Sequence, residues 1–225
     1  MNGTVMKSKT HRVKVWGDNA CFTRPEMKVE RVSYDVLTPS AARGMLEAIL
    51  WKPAICWKVE QIDVLMPIRW ESVRRNEVGS KMSPRSEGLF IEDQRQQRAG
   101  LFLRDVAYTI HAHFEMTDRA GPEDNLIKFQ EMFMRRGEKG QCFNMPYLGC
   151  REFSAHFKLI TDEQPLPEPI ALTRDLGWML YDITHDPQGN NGNHVHSCTT
   201  NCRPSFFRAV LENGRIDLRK AEVRS

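Results

Sequence analysis

Between His11 and Ile49 the apolar residues change their repeat from about two to about 3.6 residues across one capped junction, and this change most constrains the fold. His11 to Trp16 alternates Arg12, Lys14 and Trp16 with Val13 and Val15, the pattern of a half-buried strand. Thr38, Pro39 and Ser40 then supply a stop and an N-cap, after which Ala42, Met45, Leu46 and Ile49 share one helical face. A helix with a single apolar stripe must lay that stripe on a sheet. The intervening loop sets Arg24, Lys28 and Arg31 among Phe22, Met27 and Tyr34, with its charges expected in solvent. Cations interleaved with flat or soft apolar groups suit phosphates and unstacked bases.

The remaining elements follow by the same logic. Ala54–Ile68, β-branched and aromatic between Pro53 and Pro67, predicts a second strand. Residues 69–104 hold eight Lys+Arg and five Asp+Glu punctuated by Gly79, Pro84, Gly88 and Gly100, which predicts a long hairpin or mobile insertion. Val106–Phe114 alternates as a strand with His111 and His113 on one face, and Asp124 or Asn125 caps a second helix. That helix runs to about Arg136, is ended by Gly137 and Gly140, and turns Leu126, Phe129, Met132 and Phe133 inward; Cys150–Ile160 is a fourth strand. The order strand-helix-strand-strand-helix-strand predicts an α+β fold: a ferredoxin-like, RNA-recognition-type βαββαβ domain over residues 1–164, with 69–104 as its insertion. Past Pro165, Pro167 and Pro169, the runs 176–183 and 205–211 and the turn Glu212-Asn213-Gly214-Arg215 predict a small antiparallel C-terminal sheet in 165–225.

The 225 residues suffice for a self-supporting core, and the net charge of +3 is uneven: residues 1–60 carry ten Lys+Arg against six Asp+Glu. An anionic partner is expected there. No apolar run reaches signal-peptide or membrane-spanning length, so a cytoplasmic protein with six reduced cysteines and no membrane partner is expected. No glycine-rich phosphate loop and no Gly-x-Ser-x-Gly occurs, and no cofactor is expected. His194, His196, Cys198 and Cys202 have zinc-ligand chemistry in a Gly- and Asn-rich loop, where a metal site and an unliganded loop both remain open. His113, with His111 and Glu115, fits an acid-base pair or a structural histidine. Cys142 and Cys150 read as buried small hydrophobes.

Six segments together carry a resemblance: W-G-D-x-A-C-F-T-R-P (16–25), Y-D-V-x-x-P-S-A-A-R-G (34–44), W-K-P (51–53), A-H-F-E (112–115), L-G-C-R-E-F (148–153) and L-E-N-G (211–214). In this order the chain resembles CRISPR-associated family five, subtype d, of type I-C (Dvulg-subtype) systems. The resemblance implies a metal-independent endoribonuclease that cuts CRISPR precursor RNA at the base of each repeat hairpin. It implies 2',3'-cyclic phosphate and 5'-OH ends, and a protein that stays on the 5' handle beside other type I-C surveillance-complex subunits. Family members place a Tyr or His before W-K-P and a Lys-His pair at the start of helix two; here Leu50 and Lys128-Phe129 stand there. Lys128 remains a cation for the scissile phosphate, with His113, Tyr34 or Tyr147 as substitute acids or bases. Arg24, Lys28, Arg31, Lys52, Arg135 and Arg136 are the expected RNA contacts, and the positive excess also suits weak, sequence-blind binding to duplex DNA. Against cleavage stands a non-catalytic RNA-binding scaffold of the same complex, and a zinc-dependent enzyme using His194 to Cys202 is a third class.

Overall fold

Thr38 and Asn125 start the two long helices as their sequence context demands. The Thr38 hydroxyl accepts the Ala41 N–H at 3.4 Å with Pro39 in the first turn, and the Asn125 side chain accepts the Lys128 N–H at 2.9 Å. The computed structural model describes residues 6–27, 29–85, 87–184 and 202–225. In chain order they form β1 (His11–Ala20), α1 (Pro39–Ile49), β2 (Ile55–Val64), β3 (Trp70–Val78), the short α2 (Ile91–Gln94), β4 (Arg95–Met116), α3 (Leu126–Glu138) and β5 (His156–Ile160). Then come β6 (Arg174–Thr184), β7 (Arg203–Leu211), β8 (Arg215–Asp217) and β9 (Val223–Arg224).

Every named strand pairing is antiparallel, and the architecture is mixed α+β. The larger sheet runs β5-β1-β4-β2-β8 with β3 on the outer half of β4, and the smaller runs β6-β7-β9. Register fixes the faces. Val13 lies opposite Ile110, Val15 opposite Tyr108, His11 opposite Ala112 and Trp57 opposite Phe114, so these side chains share one side. Both long helices cover that side: Met45, Leu46 and Ile49 of α1 are buried, and the Phe133 ring of α3 lies 4.7 Å from Trp57 and 4.9 Å from His11. The fully buried Trp57, Phe114, Phe129 and Phe133 each stabilise this layer by about 2 kcal/mol. Met179, Leu180, Phe207 and Leu211 of the smaller sheet join the same buried cluster.

Three expectations need correction. Helix α3 continues through Gly137, because a Cβ there would lie 3.0 Å from Leu159 Cβ; this glycine serves close packing on β5, and only Gly140, at φ +63, ends the helix. Within residues 69–104, β3 and Arg95–Arg104, the leading half of one 22-residue β4, form a hairpin paired from Trp70↔Leu103 to Val78↔Arg95. From Arg95 to Leu101 no residue of β4 is buried, so the sequence there lacks the apolar alternation that reveals the inner half. Residues 150–155 turn rather than extend: Gly149 has φ +84, a Cβ on it would meet Cys21 O at 2.1 Å, and only His156–Ile160 pairs with β1. The Asn213-Gly214 turn forms, with φ of +47 and +74, but the strand after it, β8, joins β2 in the larger sheet, and β9 completes the smaller one. Among the described residues no helix is long and apolar enough to cross a membrane.

Candidate nucleic-acid interface

The last carbonyls of α1 lack partners within their own helix and find them on three other segments. Ala48 O accepts the Phe143 and Asn144 amides at 2.8 and 3.2 Å, Ile49 O accepts Arg136 Nη1 at 2.7 Å, and Leu50 O accepts Trp57 Nε1 at 2.9 Å. This clamp holds Leu50 in the core and turns Trp51, 58% exposed, outward. Lys52 follows it. With Arg119, Asp124 and Lys128, Lys52 lines a recess of about 170 Å³ at the start of α3. Lys128 Nζ lies 3.0 Å from Asp124 Oδ1, and that hydrogen bond, ahead of one from the Gly121 N–H, holds the Asp124 carboxyl below the usual carboxylate range. Three cations against one carboxylate, beside a helix N-terminus, favour an anion such as a phosphate.

Neither Leu50 nor Phe129 reaches this recess with a polar group, and both are buried apolar side chains. The other candidates part company. Tyr147 is 42% exposed and lines a second groove shared with Trp51, so consecutive residues 51 and 52 connect it to the Lys128 recess. Tyr34 is buried beneath the Arg24 guanidinium, 4.6 Å from its ring centre, and burial raises its phenol pKa. His113 is also buried, with Nδ1 2.9 Å from Glu60 Oε1 and Nε2 3.5 Å from Glu115 Oε1. Its neighbour Phe114 points to the helix side, so His113 points to the opposite side of the sheet from α3. His111 shares that side and bonds Asp63 at 2.8 Å. The fold therefore sets Lys52 beside Lys128, puts Tyr147 in the neighbouring groove, and turns His113 to the other side of the sheet.

Of the expected RNA contacts, Arg24 is engaged internally with Ser33 O and Asp35, at 3.3 and 3.4 Å, so the loop does not keep all its charges in solvent. Arg31 shares Glu152 with Arg75, and Arg136 caps α1. Arg135 is exposed and has no ion-pair partner among the described residues. Lys28, His194, His196 and Cys198 lie outside the described residues, which leaves only Cys202 of the candidate zinc loop. Cys150 is half-buried, its thiol donates to Cys21 O at 3.5 Å, and a hydrogen bond with the Cys21 thiol lowers its pKa while that of Cys21 is raised. A recess of about 920 Å³ lies between β7 and the C-terminal strands, but its Arg208 is paired with Asp175 at 2.6 Å and its Arg224 stacks on Trp178. Sequence reasoning missed Trp51, Arg119, Phe143 and Arg151. For Trp51 a signal existed, because a tryptophan just past the apolar stripe of a helix lies off its buried face.

The family model described as CRISPR-associated protein (Cas_Cas5), of the Cas_Cas5d type, matches residues 11–219. The chain is 54% identical over 223 residues, 92% of its length and 93% of the relative's, to CRISPR pre-crRNA endoribonuclease Cas5d of Mannheimia succiniciproducens. It is 51% identical over 172 residues, 76% of its length and 72% of the relative's, to CRISPR pre-crRNA endoribonuclease Cas5d of Thermus thermophilus. A crystal structure of a CRISPR-associated protein matches with TM-score 0.71 at 22% identity, covering 99% of this chain and 100% of that one. A functionally uncharacterized protein, SMU1763c from Streptococcus mutans, matches with TM-score 0.69 at 21% identity over the same shares. These two likenesses concern the fold.

Proposed function

We propose, because this chain belongs to the Cas5d family of CRISPR-associated proteins, that it is an endoribonuclease of CRISPR precursor RNA. The observation that carries this reading is the 54% identity, over nearly the whole chain, to a protein named for that activity. In finer detail, the reaction is metal-independent and cuts at the base of the repeat hairpin. A base removes the ribose 2'-OH proton and the oxygen attacks the adjacent phosphate. The 5'-oxygen of the next nucleotide then leaves and takes up a proton, giving a 2',3'-cyclic phosphate and a 5'-OH. Lys128 stabilises the charge that develops on the phosphate, aided by the N-terminal amides of α3, and the phosphate displaces Asp124 from its ammonium. Tyr147, exposed in the neighbouring groove, is the favoured proton-transfer candidate, whereas Tyr34 and His113 are buried. Holding the strand in line with the scissile bond supplies much of the remaining acceleration.

The β5-β1-β4-β2 order with both helices on one side supports a ferredoxin-like unit over 1–164 and a C-terminal sheet over 165–225. The protein then stays on the 5' handle in the cytoplasm with the other type I-C surveillance-complex subunits, and its basic surface also gives weak binding to duplex DNA. Burial of Leu50 and Phe129 favours a second reading, a non-cleaving scaffold that grips the same RNA. Incubating the protein with labelled repeat RNA in EDTA distinguishes the two. Endoribonuclease action yields one cut, with a 5'-OH that a polynucleotide kinase labels directly. Binding without product supports the scaffold, and products that disappear with the chelator contradict metal independence.

A further inference from the structure

The groove beside the Lys128 recess measures about 620 Å³ and carries Trp51, Phe143, Met145 and Tyr147, which are 58%, 80%, 66% and 42% exposed. Four large apolar side chains clustered in water form the kind of patch that a binding partner covers. Their backbone is fixed. The Phe143 and Asn144 amides are pinned to Ala48 O, Leu148 N–H donates to Phe153 O at 2.8 Å, and Ala155 N–H donates to Pro146 O at 2.9 Å. The floor is open as well: Gly44 sits within α1, where glycine costs about 1 kcal/mol against alanine, and a Cβ added there meets nothing within 4 Å. No internal packing explains that glycine, whereas close approach of an outside group does.

Charge identifies the occupant. Arg151 lines the groove without an ion-pair partner among the described residues, the groove's one carboxylate, Glu47, is already paired with Arg43 at 2.7 Å, and Lys52, the residue after Trp51, faces the cationic recess. Flat apolar faces alternating with cations fit a strand whose bases are free to stack and whose backbone is anionic; a paired duplex keeps its base faces hidden. Resting on the endoribonuclease reading, we infer that this groove stacks unpaired nucleobases of the RNA strand that passes Lys128, with Trp51 and Phe143 as the platforms. An unpaired flank of the hairpin is thereby bound as well as its stem.

The test compares a repeat hairpin carrying its unpaired flank with the same hairpin trimmed blunt, titrated against the full chain and its Trp51→Ala and Phe143→Ala variants. Each variant loses roughly 5- to 150-fold in affinity for the flanked RNA, the range for one stacked base, and little for the blunt one. Circular dichroism and Tm stay at the parent's values, as both side chains are exposed. Equal losses on the two RNAs, or none, overturn the stacking groove while leaving the endoribonuclease reading intact. A groove that instead receives a protein shows no loss. If the parent binds neither RNA, the functional reading fails and the groove inference falls with it.

Discussion

His11 sits with its ring 4.9 Å from Phe133, stacked on Phe114, and its Nε2 has no hydrogen-bond partner. Burial, more than the nearby Lys9, lowers its pKa to about 4, with Asp162 opposing weakly. The unfolded chain takes up a proton near pH 6.5 and the folded chain does not, so stability is complete above that value and falls as the pH drops towards 4. The loss amounts to about 2 kcal/mol between about pH 7 and about pH 5. Urea unfolding at both pH values checks this: His11→Phe removes that part of the decline, and an undiminished decline contradicts it. The sequence placed His11 on a strand but gave no sign of a neutral imidazole among aromatic rings, because its neighbours come from α3, β2 and β4. The site residues were legible in the same partial way. Lys128 announced itself by resemblance, whereas the separation of His113 from it depends on which side of a strand each neighbour occupies.

At the scale of elements, the two arginines that end α3 have different tasks despite adjacent positions. Arg136 completes the C-terminus of α1 through Ile49 O at 2.7 Å, and Arg135 faces solvent. Arg136→Met leaves that carbonyl without its charged donor and costs about 1.5–3 kcal/mol in chemical unfolding, whereas Arg135→Met stays within about 0.5 kcal/mol. In RNA titrations at several salt concentrations, Arg135→Met lowers the salt slope by about one counterion. Equal stability of the two variants contradicts the clamp. The helix starts were readable because a cap is a local event: Thr38 and Asn125 bond within three residues. Gly137 was misread because a packing glycine and a terminating glycine are the same letter, and the distinction lies in Leu159, more than twenty residues away. The smaller sheet was visible as two apolar runs, but the departure of β8 to β2 depends on pairing across some 150 residues, which no local pattern encodes.

In the whole molecule, one apolar layer fixes both the core and the site, since the clamp that buries Leu50 also sets Trp51 and Lys52 outward. The α+β character followed from the alternation of strand and helix periods, and the family from motifs spread along nearly the full chain. The exposed groove had no such signature: Trp51 and Phe143 lie 92 residues apart and meet only because Ala48 O binds the Phe143 amide. The cationic recess at the start of α3 is where we propose that the RNA chain is broken. Single-turnover cleavage of labelled repeat RNA by the parent and Lys128→Ala, with binding measured on the same samples, tests it most directly. Lys128→Ala is expected to cleave roughly 100-fold more slowly or worse, with affinity reduced only by about one phosphate contact. Cleavage by Lys128→Ala at the parent's rate contradicts it.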